Sequence, residues 1–170
     1  MQFKFKHSKI TFNTKAKLVN GLNVTFVFAE DAKSVYQELT KNPQAILVED
    51  LNKLSGLVVH NDTILMSLGA KSKFTSDGLV NVATSLAKFV ASREISEINL
   101  HLTNLHAEKL ALSYAELVEK FLVDFGNGLY YFDDFKTEKT KLALEKVHVS
   151  SDEDLSKALA NAVAILEGYF

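Results

Sequence analysis

Residues able to do chemistry are few in this chain, and their spacing scatters them. His101 and His106 stand five apart across an expected strand end and turn, so they miss the i, i+4 helical face that a zinc pair needs. They read as surface or loop histidines. His7, His60 and His148 are isolated in strand-like contexts. Asp133-Asp134 offers two carboxylates, but adjacent residues on a helix point in different directions and do not converge on one metal. Glu49-Asp50 reads as a solvated turn, and Ser151-Asp152-Glu153-Asp154 as a helix N-terminus, where acids suit the positive end of the dipole. Gly126-Asn127-Gly128 does not lie between a strand and a helix and lacks the spacing of a phosphate loop, so it reads as a helix break or bend. Ser67-Leu68-Gly69 reads as a turn into the next helix. A helix N-terminus there could hold an anion, but Gly69-Ala70-Lys71 offers no glycine-rich cradle. The chain has no cysteine, which removes thiolate metal sites, disulfides and a thiol nucleophile. No catalytic, cofactor-binding or metal-ligating residue is assigned.

The elements around these residues follow from hydrophobic period. Phe3, Phe5, Ile10 and Phe12 alternate with polar residues, as one or two opening strands do. Leu22 to Phe28 is a β-rich run, and Asp31 precedes a helical pattern through Val35, Tyr36 and Leu39 that Asn42-Pro43 should end. Ala45 to Val48 and Leu57 to Val59 are short apolar runs of strand type, and Thr63 to Leu68 a buried strand closed by Gly69. Thr75 or Ser76 can cap a long helix whose core face is Leu79, Val82, Ala83, Leu86, Phe89 and Val90. Ile95 to Leu102 reads as a strand. Asn104 is the expected cap of a helix through Leu110, Tyr114, Leu117, Val118 and Phe121, interrupted at Asp124 to Gly128. Leu142 to Val149 is a further strand, and Ser151 with Asp154 opens a last helix from Asp152 to Phe170. Strands alternating with long helices predict an α/β fold with a partly parallel sheet covered by helices.

Composition sets the class. At 170 residues, 47% hydrophobic and 24% charged, the chain fits one globular domain with a linker element attached. Met1-Gln2-Phe3-Lys4 starts no signal peptide, and no apolar run nears the ~20 residues of a membrane span. The expectation is a soluble cytoplasmic protein. Net charge is −2, yet residues 1–17 hold five lysines and no acid. Those lysines read as the outward positions of half-buried strands. Stacking aromatics and arginines for bidentate contacts are missing beside them, so nucleic acid is not the expected partner.

Three stretches, in order, carry a family resemblance. Tyr130-Tyr131-Phe132-Asp133-Asp134-Phe135-Lys136-Thr137 resembles the Tyr-x-Phe-Asp-x-(Tyr/Phe)-Lys-(Ser/Thr) segment late in the N-terminal domain of leucyl (cytosol) aminopeptidases. Ile64-Leu65-Met66-Ser67-Leu68-Gly69 is similar to their strand ending in Gly-Leu-Gly, with Ser67 in place of the first glycine. Ala164-Ile165-Leu166-Glu167-Gly168 is similar to the start of the helix joining their two domains. The resemblance covers Thr63 to Phe170 and weakens toward the N-terminus.

It implies a three-layer α/β/α sandwich with a mixed, largely parallel sheet, similar to macro domains. It also implies a division into a non-catalytic domain over 1–150 and the start of an interdomain helix over 151–170. The parent would remove N-terminal amino acids from peptides with two divalent metals (zinc, manganese or magnesium) held by a C-terminal catalytic domain. Nothing in this chain matches that domain's ligand stretch, so no catalytic residue carries over. The expected partners are the chain's own catalytic domain and further copies, in a hexamer. Two other readings remain: a stand-alone macro-like module binding a nucleotide, and an independent interaction protein.

Overall fold

The computed structural model describes residues 1–5, 8–15, 21–45, 49–105, 107–134 and 142–169. Seven strands and four α-helices account for most of them. The strands are β1 (Gln2–Phe5), β2 (Ser8–Lys15), β3 (Leu22–Val27), β4 (Leu57–His60), β5 (Thr63–Ser67), β6 (Glu97–His101) and β7 (Lys146–Ser150). The helices are α1 (Ala29–Thr40), α2 (Ser76–Ala91), α3 (Tyr114–Asp134) and α4 (Ser156–Tyr169).

The strands form one sheet in the order β1-β2-β7-β6-β3-β5-β4. The five inner strands run parallel. The edge strands β1 and β4 are antiparallel to their neighbours.

Period-2 alternation sorts the side chains onto two faces. Ile10 and Phe12, Val24 and Phe26, Ile64 and Met66, Ile98 and Leu100, and Val147 and Val149 face one way, into the large core that α2, α3 and α4 cover. Val27, Val58 and Leu65 face the other way, against Ala32, Val35, Tyr36 and Leu39 of α1 and Leu51 of a 3-10 turn. The molecule is therefore a three-layer α/β/α sandwich with a mixed, largely parallel sheet. Crossover handedness explains the layers. The connection from β3 to β5 and those from β5 to β6 and β6 to β7 run in opposite directions along the sheet, so right-handed crossovers must lie on opposite faces.

Local signals held where they agreed with packing. Thr75 caps α2, its hydroxyl accepting from Gly78 N at 3.3 Å. Leu79, Val82, Ala83, Leu86 and Val90 are buried as the period requires, while Phe89 is only partly so. α1 ends at Lys41, whose left-handed φ of 54° places its N–H on the last helical carbonyls, two residues before Pro43.

Other expectations need correction. α1 begins at Ala29, so Asp31 lies inside its first turn rather than before it. Asn104 lies within a 3-10 turn and not at a helix start: residues 102–105 and 107–110 are 3-10 turns, and the reciprocal cap of α3 is Ser113 with Glu116. α3 runs unbroken through Asp124 to Gly128. Its two glycines mark close packing and not a bend. A Cβ on Gly126 would stand 2.6 Å from the methyls of Leu166 on α4, and one on Gly128 2.9 Å from Thr84 Cα on α2.

The last helix starts at Ser156 and not Asp152. Asp154 Oδ1 accepts from Ser156 N at 3.0 Å, while Ser151 Oγ serves Glu153 N in a turn just before it. The strand expected over Leu142 to Val149 begins only at Lys146. Ala45 lies in no strand, and 46–48 fall outside the described residues. α4 buries Ala158, Leu159, Ala162 and Leu166 in the same large core as α3.

Candidate functional site

In an open α/β sheet ligands sit at the carboxyl ends of strands where the connections part in opposite directions. Here that point lies between β3 and β6. A crevice of about 380 Å³ lies on the β3 side of that point, lined by Thr25, Phe26, Val27, Phe28, Asp31, Ser34 and Val35. The register pairs Thr25 with His101, which puts the imidazole on the same face beside that lining.

α1 starts at this crevice from Phe28, which gives no side-chain cap. Its first turn carries two carboxylates, both engaged by Lys71. Glu30 accepts the backbone N–H of Lys71 at 3.1 and 3.2 Å, and Asp31 Oδ2 pairs with Lys71 Nζ at 2.7 Å. The hydrogen bond to Asp31 holds the Lys71 ammonium above its usual pKa. A phosphate arriving here would meet two carboxylates where a nucleotide site presents free N–H groups. Ser34 spends its hydroxyl on the carbonyl of Asp31 at 3.0 Å, so no nucleophile–base pair forms.

His101 is half-buried, and desolvation lowers its pKa below 6.5. A depressed folded-state value means the unfolded chain binds the proton first. This group's share of stability is thus full above pH 6.5 and is lost as the pH falls through the folded pKa. His101→Gln should flatten the stability profile just below pH 6.5, as read by urea midpoints at about pH 7.5 and about pH 5.5.

A second polar group lies on the same sheet face. Asn13, His148, Asn99, Asn23 and Thr63 are successive register partners across β2, β7, β6, β3 and β5. His148 and Asn99 are each only 3% exposed. His148 Nε2 meets Glu97 Oε1, and Asn99 Nδ2 donates to Asn23 Oδ1 at 3.3 Å. His148 Nδ1 is buried without a hydrogen-bond partner among the described residues. These contacts tie β6 to both neighbours, and a one-residue slip would drive the polar row into the apolar core. Their role is register.

A further hollow, about 510 Å³, lies past the ends of β6 and β7 between Thr103, Glu108, Tyr114, Ser150, Ser151, Asp152 and Glu153. Tyr114 donates to Ser150 O at 3.1 Å, and burial together with the Glu153 charge pushes its phenol up to about 12. It stays protonated at neutral pH.

The structure does not gather the residues that the sequence singled out. His101 ends β6, His60 ends β4, and Asp133-Asp134 close α3. His7, His106 and the segment Phe135-Lys136-Thr137 lie outside the described residues. Among the described residues no three His, Asp or Glu side chains come together as a metal would require. No helix of the described residues is long and apolar enough to cross a membrane. Sequence reasoning missed the Glu97–His148 contact, although the alternation in Glu97-Ile98-Asn99-Leu100-His101 and Lys146-Val147-His148-Val149-Ser150 signalled a polar face on both strands.

No protein-family model and no curated protein matches this chain. Solved structures do. A mutant of tomato leucine aminopeptidase matches with a TM-score of 0.65 at 14% identity, over 98% of this chain and 38% of that one. The bottromycin maturation enzyme BotP matches with a TM-score of 0.58 at 14% identity, over 88% of this chain and 31% of that one. The chain spans only about a third of the length of the longer proteins it matches, and its fold is that of one portion of them.

Proposed function

We propose that this chain is the non-catalytic N-terminal domain of a two-metal leucyl aminopeptidase, with a structural and oligomerising role. The supporting observation is the match of 98% of the chain to 38% of a leucine aminopeptidase. Three stretches quoted above resemble that family independently. In this reading residues 1–150 form the accessory domain and 151–170 begin the interdomain helix. The parent works in the cytoplasm and removes N-terminal amino acids from peptides, and its two divalent metals lie in a C-terminal catalytic domain. The described residues here do not fit that metal pair, since their His, Asp and Glu side chains never gather in threes. α4 supports the linker role with a partly unpartnered outer face, where Ala164 and Ile165 are exposed, the latter by 38%. A macro-like nucleotide-binding module is disfavoured by Glu30 and Asp31, which put two carboxylates in the first turn of α1.

The test is the reading frame after Phe170. Continuation through Arg-Asp-Leu into a metal-ligand stretch is expected. A stop codon directly after Phe170 would overturn the reading.

A further inference from the structure

We draw no further inference here: the strongest candidate, the hollow of about 510 Å³ past the ends of β6 and β7 rimmed by Glu108, Asp152 and Glu153, is a cluster of carboxylates, and nothing in the structure shows what would occupy it.

Discussion

Phe121→Ala is expected to lower the unfolding free energy by about 3–5 kcal/mol, the usual range for emptying a fully buried aromatic site. Phe121 is 0% exposed on α3 and meets Phe26 of β3 edge to face, with ring centroids 5.5 Å apart and planes at 75°. That contact joins the helical layer to the centre of the sheet. Leu117, Val118, Leu122 and Phe125 around it are also fully buried, so little can collapse into the space. A domain of this size holds only about 5–15 kcal/mol in total, so the variant should lose a large share of it. Urea unfolding at unchanged m-value measures the loss. A drop below about 1 kcal/mol would mean that α3 does not pack as described.

Gly128→Ala is expected to cost about 1–3 kcal/mol, whereas Gly126→Ala should fall within about 1 kcal/mol of the parent. The two substitutions add the same methyl to the same helix and gain the same helix propensity. Their surroundings differ. At Gly128 the new Cβ would lie 2.8 Å from Ala87 Cβ and 2.9 Å from Thr84 Cα, so the backbone of α2 has to retreat. At Gly126 it would lie 2.6 Å from the ends of the Leu166 side chain, which can change rotamer. Thermal midpoints of the pair check this, and equal losses would refute the close approach of α2 and α3 at Gly128.

These glycines also show where local reading fails. Gly126-Asn127-Gly128 carries a strong breaker signal, because glycine weakens an isolated helix. Its real cause lies in α2 and α4, at positions no local window contains. The α3 cap is a different case. Ser113 and Glu116 have the spacing of a capping box in plain sight, and Asn104 drew the reading away because the 3-10 turns between them extend the helical pattern upstream. α2 was legible throughout: its cap, its acidic first turn and its apolar period all point the same way as its packing.

The candidate site was legible only in pieces. Alternation predicts that Glu97, Asn99 and His148 share their faces with other polar residues, but their neighbours depend on a strand order in which β7 inserts between β2 and β6. Strand order is set by crossovers spanning tens of residues, and no short motif records it. The crevice at β3 and β6 is likewise a product of topology. Its charge could be anticipated: Glu30 and Asp31 stand together after a strand, and Lys71 follows another. What joined them was the closeness of those two strand ends, with Ala29 N donating to Gly69 O at 2.9 Å.

Aminopeptidase activity is the decisive observable. Release of p-nitroaniline from leucine p-nitroanilide should be measured with zinc or manganese, first on the 170-residue chain and then on the longer chain that the proposed function expects past Phe170. An accessory domain gives no metal-dependent release alone, and the longer chain does. Metal-dependent release by the 170-residue chain itself would contradict that role and place catalytic residues within this sandwich.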